Sequence, residues 1–305
     1  MPLPPAGGAD VAHRIGKDGG VTSANTSPLE RHLPSASARS LLLTVLGEFA
    51  FLEGKGVWTT ALVRVLGGLG VESHAARQAI TRSADAGWIE SERLGRTVRW
   101  RLTSQGKEVV EEGLQRATSF LGGPQAWDGR WLVLLVSVPQ RERTTRKRLY
   151  GALSWLRMGN PTSGVWLTPH IDAIGELRSV IDRFDLADTA ICFTGGIEDV
   201  GLTDHQIVCK AWNLSELAEA YRELLARYEN HRPAAGDEVL LNYLELENLL
   251  QRFMRRDPQL PLELMPHWVG NEAAELIRTC RDLWAEPARE RWAELMRESD
   301  PSIST

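Results

Sequence analysis

The stretch from Val71 to Gly106 constrains the fold most, because its hydrophobic pattern changes from helical to extended within one short span. Ala76, Ile80 and Ala84 recur at four-residue spacing, which predicts the inward stripe of an amphipathic helix. Gly87 follows the last helical residue, where a glycine adopts a left-handed cap without steric cost. The sequence therefore predicts a helix that ends abruptly and is followed at once by extended chain.

A hairpin follows this helix. Trp88-Ile89 and residues 98–102 read as its strands, and Leu94-Gly95-Arg96 forms the turn between them. Two shorter amphipathic helices precede the stretch, over residues 41–49 and 60–66. Three short helices followed by a basic hairpin are typical of a winged helix-turn-helix.

The chain divides into a tail and three domains. Residues 1–37 are rich in Pro, Gly, Ala and Ser and lack periodicity, so we expect a disordered tail. The winged helix occupies residues 38–121, and Gly122-Gly123-Pro124 marks the start of a central domain over residues 122–232. Residues 233–299 read as a helical C-terminal domain. The expected fold class is α+β, with several domains.

The central domain opens with a continuous apolar run, Trp131 to Val138, which is typical of a strand buried on both faces. Residues 141–156 and 172–184 read as helices, and residues 164–168, 189–194 and 206–212 read as strands. No glycine-rich loop follows the first strand, so the pattern is not that of a nucleotide-binding fold. It resembles a small ferredoxin-like α/β sandwich.

Composition limits the function classes. The formal net charge of −5 argues against binding nucleic acid over the whole surface, but it permits one local basic face. The three cysteines, Cys192, Cys209 and Cys280, have no CxxC spacing, which predicts neither disulfides nor a metal site and fits a reducing cytoplasm. No apolar run approaches the roughly 20 residues that cross a bilayer, and no secretory signal is evident. We expect a cytoplasmic protein without a cofactor or a membrane partner.

Hydrogen-bonding side chains gather on the outer face of the opening helix, whose start Ser73 is placed to cap. A recognition helix needs such a face to reach base edges in the major groove. Arg77 suits guanine, Gln78 suits adenine, and Arg82 near the helix end suits phosphate. The candidate DNA-reading residues are His74, Arg77, Gln78, Thr81 and Arg82. The alternative is a solvated polar helix face.

Arginines surround the turn of the hairpin. Arg93, Arg96 and Arg99 lie on either side of Gly95. A guanidinium at such a tip can enter a minor groove or pair with phosphate, and we favour Arg96 for that contact. The alternative is a charged hairpin that only resists pairing with other strands.

Three segments together resemble the PaaX family of GntR-like winged-helix repressors. The first segment is SHAARQAITRSADAGWIESERLGRTVRWRLTSQG, where the family has AVR-x-A…R, a GR wing and an aromatic-R-LT-x-x-G ending. The residues that fall on this pattern are Arg77, Arg82, Gly87, Trp88, Gly95, Arg96, Leu102, Thr103 and Gly106. The second segment is WDGRWLVLLVSVP, residues 127–139. The third is RRDPQLPLELMPHWVG, residues 255–270, which resembles the signature R-DP-x-LP-x-x-LLP-x-x-W-x-G. Met265 replaces a leucine there, and one residue rather than two separates Pro266 from Trp268.

The resemblance, which covers about residues 40 to 297, implies a homodimer on an inverted-repeat operator. It implies a central ferredoxin-like domain related to the small CRISPR-associated nuclease fold, and release by an aryl-CoA or acyl-CoA effector such as phenylacetyl-CoA. In an effector pocket, Trp268 would stack on an aryl or adenine ring while basic side chains face phosphate. The candidate effector residues are Arg146, within the basic run 141–148, and Arg255, Arg256, His267 and Trp268. The alternatives are a solvated basic face and a proline-rich segment that only packs helices together.

Two other function classes are weighed against a repressor. A metal-dependent nuclease of the related small fold needs an acidic residue at the end of its first strand, where Val136-Ser137-Val138-Pro139 has none. The histidines are scattered, and neither a GxSxG elbow nor a phosphate-binding loop is present, so we expect no catalytic residue, no metal and no enzyme. A protein-interaction adaptor would use the same winged helix to bind protein rather than DNA.

Overall fold

The structure is a computed structural model that describes residue 33 and residues 36–51, 54–138, 142–198 and 200–302. The tail expected over residues 1–37 lies almost entirely outside these ranges, and so does Arg141 of the basic run. None of the helices in the described part of the chain is both long and apolar enough to cross a membrane.

Three helices and a small sheet form the N-terminal part. Helix α1 (Ala38–Val45) continues as a π-helix (Leu46–Phe51), and α2 (Thr59–Gly68) and α3 (Ser73–Asp85) follow. Strands β1 (Val57–Trp58), β2 (Ile89–Leu94) and β3 (Thr97–Leu102) form an antiparallel sheet in the order β1-β3-β2. The predicted helix and hairpin are thus both present. The predicted cap is wrong, because Ser73 is the first helical residue and Glu72 holds the cap position without a side-chain hydrogen bond.

A tight junction joins the hairpin to helix α4 (Ser104–Leu121). Thr103 Oγ1 accepts the backbone N–H of Gly106 at 3.0 Å and donates to the Gly87 carbonyl oxygen at 2.5 Å. A Cβ atom on Gly106 would lie 1.9 Å from the Trp88 carbonyl oxygen, so this position requires glycine. The T-x-x-G part of the motif therefore has a structural cause: the threonine caps α4 and the glycine lets α4 approach the hairpin.

The central part has β-α-β-β-α-β connectivity. Its elements are β4 (Trp131–Leu135), α5 (Arg143–Trp155), β5 (Gly159–Thr162), β6 (Val165–Thr168), α6 (Ile174–Arg183) and β7 (Ile191–Gly195). The four strands form an antiparallel sheet in the order β5-β6-β4-β7.

The predicted strand over residues 206–212 is wrong. Residues Asp204–Ala211 form helix α7, because Thr203 and Gln206 close a capping box at its start. Ile207 and Val208 on this helix pack against the sheet and are buried there. The additional strand of the sheet is β5, which pairs with β6.

Helices α8 (Leu214–Tyr228), α9 (Asp237–Met254) and α10 (Val269–Glu298) complete the chain. The boundary expected at residue 232 would assign α8 to the central domain. In the structure Tyr221, Leu224 and Tyr228 of α8 are buried in the same core as α9 and α10. We propose a boundary near residue 212 instead.

The cores connect parts that are distant in sequence. One continuous core contains side chains from α1, α2 and α3 together with those of α8, α9 and α10. The central sheet is covered on one face by α5 and α6, where Leu132 and Leu134 are buried. Its other face holds Trp131 and Val133 and is covered by α7 and by residues 260–264 of the proline-rich segment. That segment therefore joins the central sheet to the C-terminal helices.

Candidate nucleic-acid interface

Helix α3 has one packed face and one free face. Ala76, Ala79, Ile80 and Ser83 are buried against α1 and α2, whereas Ala84, expected to point inward, is half-buried. All five candidate residues on the opposite face are exposed, namely His74, Arg77, Gln78, Thr81 and Arg82. The sequence pattern thus places them on one accessible surface of a helix that is fixed from behind.

The side chains of this face differ in whether they already form hydrogen bonds within the protein. Gln78 Nε2 lies 3.0 Å from His74 Nε2, and Thr81 Oγ1 donates to the Arg77 carbonyl oxygen at 3.1 Å. Within the described residues, the guanidinium groups of Arg77 and Arg82 have no hydrogen bond or ion pair. The two arginines are therefore the most available cations of the helix for base edges or phosphates.

The hairpin carries two of its three candidate arginines at the tip. The last cross-strand pair, Leu94 with Thr97, closes a two-residue turn in which Gly95 has a φ of 63°. Arg96 is the second residue of this turn, Arg93 lies just before Leu94, and both side chains are exposed. Both can therefore reach a DNA backbone that passes the hairpin.

Arg99 lies further back and is held by the fold. Its Nε donates to the Gly56 carbonyl oxygen at 3.2 Å, and its guanidinium carbon lies 5.4 Å from the centre of the Trp58 ring. These contacts tie β3 to the start of the sheet. Of the three arginines that the sequence grouped, the structure thus separates Arg99 from the tip.

Hydrogen bonds fix the hairpin relative to the helices. Trp100 Nε1 donates to Thr59 Oγ1 at 2.9 Å, and Thr59 Oγ1 donates to the Val98 carbonyl oxygen at 3.0 Å. Arg101 pairs with Glu92 across the strands at 2.9 Å. Because Thr59 is the first residue of α2, these bonds fix the position of the hairpin relative to the helices. A surface that is complementary to a DNA duplex requires such a fixed arrangement.

The five candidate effector residues do not share one site. Arg146 borders a surface cleft on α5 with Arg143, Lys147 and Tyr150, whereas Arg255 borders a cavity beneath α1. His267 and Arg256 are exposed, and Arg256 Nη1 lies 3.9 Å from Glu216 Oε2.

Trp268 is engaged in packing. Its Nε1 donates to Asp257 Oδ2 at 3.0 Å, and its ring meets the buried ring of Tyr221 edge-on at 5.8 Å. Asp257 is buried and also accepts the Tyr221 hydroxyl at 2.7 Å and the Gln259 backbone N–H at 2.6 Å. Burial, reinforced by Asp257, raises the pKa of Tyr221 well above its usual value. This part of the proline-rich segment therefore serves to hold helices together.

Sequence reasoning missed a group of residues where α4, α5 and α9 meet. The Arg116 guanidinium carbon lies 4.0 Å from the centre of the Trp155 ring. Arg157 follows α5 with a left-handed φ of 59°, which costs a non-glycine residue roughly 1–3 kcal/mol. The sequence carries one signal for this group, because an arginine occupies the position after a helix end where glycine is usual.

Two buried carboxyl groups also lie between the N-terminal part and the C-terminal helices. Glu48, in the π-helix, accepts the Tyr243 hydroxyl at 2.5 Å, and Glu247 on α9 is paired with Arg281 on α10. Burial, with the nearby Glu48 charge, raises the pKa of Glu247 to about 8. In the described ranges, no three His, Cys, Asp or Glu side chains are grouped as metal ligands would be.

Comparisons with known proteins identify the family. Three family models match: "PaaX-like protein" over residues 37–106, "PaaX protein central Cas2-like domain" over residues 124–208, and "PaaX-like protein C-terminal domain" over residues 212–294. The transcriptional repressor PaaX of Escherichia coli strain K12 is 27% identical over 252 residues, which cover 79% of this chain and 78% of that protein. The solved structure of the uncharacterized protein Rv0674 from Mycobacterium tuberculosis has a similar fold, with a TM-score of 0.56 and 22% identity over 86% of this chain and 99% of its own. The chain belongs to the PaaX family.

Proposed function

We propose that this protein is a cytoplasmic transcriptional repressor, without enzymatic activity, that binds operator DNA through a winged helix-turn-helix formed by α1 to α3 and the β2-β3 hairpin. The observation that carries the proposal is the free face of α3, which presents five hydrogen-bonding residues while its other face is buried. The related protein of Escherichia coli, named as a transcriptional repressor, supports the same assignment.

In this proposal α3 enters the major groove and the hairpin follows the adjacent backbone. Arg77 and Gln78 read base edges, and Arg82, Arg93 and Arg96 contact phosphate or the minor groove. His74 and Thr81 flank the reading residues on the same face. Arg99 contributes by positioning the hairpin rather than by meeting DNA directly, because its Nε is bonded to Gly56.

The operator-bound form is proposed to be a homodimer. Strand β7 is an edge of the central sheet, whose β-α-β-β-α-β connectivity supports a ferredoxin-like fold. Ile191 and Phe193 on β7 are 60% and 49% exposed, respectively, and an exposed apolar edge strand is a template for pairing with a second chain. A dimer would set the two α3 helices at the spacing of two half-sites.

Release is proposed to follow binding of an aryl-CoA or acyl-CoA, such as phenylacetyl-CoA. The effector must bind better to a form in which the two reading helices no longer match the half-sites, since only differential affinity shifts a population. In this mechanism the effector changes the spacing of the two reading helices and does not act on the DNA-contacting residues themselves.

Fluorescence anisotropy on DNA from the gene's own promoter region tests the proposal. We expect binding that weakens steeply as salt rises, because phosphate contacts release counterions, and release on addition of phenylacetyl-CoA. A mixed-sequence duplex of equal length is the control. Equal affinity for both duplexes would contradict operator recognition, and retention at saturating phenylacetyl-CoA would contradict the effector.

A further inference from the structure

A cavity of about 210 Å³ lies between the N-terminal part and the C-terminal helices; we call it the junction cavity. Its walls come from α1, the π-helix, α4 and α9, and its apolar lining includes Leu43, Val110, Leu114, Leu250 and Met254. An apolar cavity of about 150 Å³ in another protein holds benzene. The junction cavity is therefore large enough for an aryl ring or a short acyl chain.

The basic residues of the junction cavity lie where it meets a second cavity. Glu112, Arg116, Trp155 and Arg157 line both cavities. The adjoining cavity has a volume of about 360 Å³ and polar walls that include Gln115, Ser119 and Gln259. Arg255 also lines the junction cavity. A largely apolar compartment thus opens past an aromatic ring, arginines and the Glu112 carboxylate into a polar one.

Two cations of this group lack a partner among the described residues, and of these Arg157 is half-buried whereas Arg255 is exposed. The Arg157 guanidinium has no hydrogen bond or ion pair to any part of the chain that the structure describes. Arg116 differs, because Glu112 and Glu176 lie 3.3 Å and 3.7 Å from it. Asp172 also lines the polar cavity, so an incoming anion meets carboxylates as well as arginines, and Arg157 offers the unoccupied donors.

We infer that the junction cavity and its polar neighbour form the effector site, and that the site takes an amphipathic organic anion. The aryl or acyl group occupies the apolar compartment, and the anionic chain runs past Arg157 and Arg116 into the polar one. This inference rests on the proposed function, because it locates the effector of that repressor. Glu48 and Glu247 also line the junction cavity, and their carboxyl groups are already engaged by Tyr243 and Arg281, respectively.

The position of this site allows a bound effector to influence DNA binding. Leu43 and Val110 belong to elements that carry the DNA-reading part, whereas Leu250 and Met254 belong to α9. A group bound between them contacts both parts, so it binds with different affinity to forms in which the two parts are packed differently. Occupation of the junction cavity therefore changes how α3 is held relative to the rest of a dimer.

Isothermal titration calorimetry of the full chain with phenylacetyl-CoA, CoA and phenylacetate tests this site. We expect phenylacetyl-CoA to bind more tightly than either half, because each half fills one compartment. Arg157→Gly should weaken binding at least about tenfold through loss of charged hydrogen bonds, and Arg157→Lys should weaken it less. Glycine also removes the left-handed strain at this position, so the thermal midpoint of Arg157→Gly should not fall.

A second variant blocks the cavity without removing a charge. Gly113 lines the junction cavity on α4, and a Cβ atom there would meet no described atom within 4 Å, so a side chain can begin there without a clash. Gly113→Leu therefore adds apolar bulk at the cavity wall. Gly151 on α5 has equal room and lines neither compartment, so Gly151→Leu is the matched control. We expect Gly113→Leu to weaken phenylacetyl-CoA binding at least about tenfold, as a filled apolar pocket would, and Gly151→Leu to change it less than about twofold.

The outcomes separate this inference from the proposed function. Unchanged affinity in both Gly113→Leu and Arg157→Gly would overturn the site, as would equal affinity of the wild-type chain for CoA and phenylacetyl-CoA. Absence of binding by all three probes, with specific operator binding intact, would overturn the effector site and leave the repressor standing. Loss of operator specificity itself would contradict the proposed function.

Discussion

The ring of Phe49 stacks on the ring of Trp292, with ring centres 4.8 Å apart and planes inclined by 13°. Phe49 lies in the π-helix of the N-terminal part and Trp292 lies on α10. Both side chains are buried, so the stack lies inside the core that the two parts share. The N-terminal part and the C-terminal helices therefore form one packed body rather than two domains joined by a linker.

Loss of this stack should destabilise both parts together. Trp292→Ala removes a large buried ring, which typically costs about 3–5 kcal/mol. Guanidinium denaturation, followed by far-ultraviolet circular dichroism and by tryptophan fluorescence, should show both signals shifting by the same amount. Leu283→Ala on the exposed side of α10 is the control and should change stability by less than about 0.5 kcal/mol. Separate transitions for the two signals would show that the parts fold independently.

The approach of α4 to the hairpin predicts a strong effect at Gly106. Gly106→Ala places a Cβ atom 1.9 Å from the Trp88 carbonyl oxygen, so backbone must move, at a cost of about 1–3 kcal/mol or more. Gly113→Ala on the same helix meets no described atom and should stabilise the protein by roughly 0.5–1 kcal/mol, because alanine is the better helix former. Thermal unfolding of both variants measures the contrast. Equal midpoints would refute the close approach.

The two ends of the hairpin should differ in their effect on DNA binding. Arg96→Ala should lower the slope of log affinity against log salt by about 1, the expected effect of losing one phosphate contact. Arg99→Ala should leave that slope nearly unchanged and lower the thermal midpoint, because Arg99 Nε is bonded to the Gly56 carbonyl oxygen. Equal slope changes in the two variants would assign Arg99 to the DNA as well.

The buried Glu247 predicts a dependence of stability on pH. Its pKa is raised from 4.5 to about 8, so between these values the folded chain holds a proton that the unfolded chain has lost. Its contribution to stability therefore falls as pH rises through this window, by at most about 1.4 kcal/mol per pH unit. Glu247→Gln removes this titration and keeps an oxygen for Arg281. Urea denaturation at pH 5.5 and pH 8 should show a smaller loss for Glu247→Gln than for the wild type, and equal losses would argue against a buried neutral carboxyl group.

Local patterns in the sequence predicted the elements that depend on neighbouring residues. The stripe of Ala76 and Ile80 and the glycine at position 87 predicted α3 and its end, because helical period and capping are properties of a few adjacent residues. The strand expected at residues 206–212 failed for the same reason. Two adjacent apolar residues, Ile207 and Val208, fit a strand and a buried helix equally well, and the capping box at Thr203 decided between them.

Contacts between segments that are distant along the chain could not be predicted from local sequence patterns. Asp257 accepts hydrogen bonds from Tyr221 on α8 and from Trp268, which immediately precedes α10. The packing role of Trp268 therefore depends on contacts between segments that are distant in sequence. The same holds for Arg116 and Arg157, which come from different elements and meet at the junction cavity. Periodicity carries no information about such pairings.

The most direct test of the central claim compares Arg77→Ala with Arg289→Ala in anisotropy titrations on the operator and on a set of operators with single base changes. Both variants remove one exposed arginine, but Arg289 lies on α10, beside Glu286 and far along the chain from α3. Arg77→Ala should lose roughly 1–3 kcal/mol of operator affinity and stop distinguishing bases at one position, whereas Arg289→Ala should retain both affinity and discrimination. An Arg77→Ala protein that binds and discriminates like the wild type would contradict DNA reading by α3.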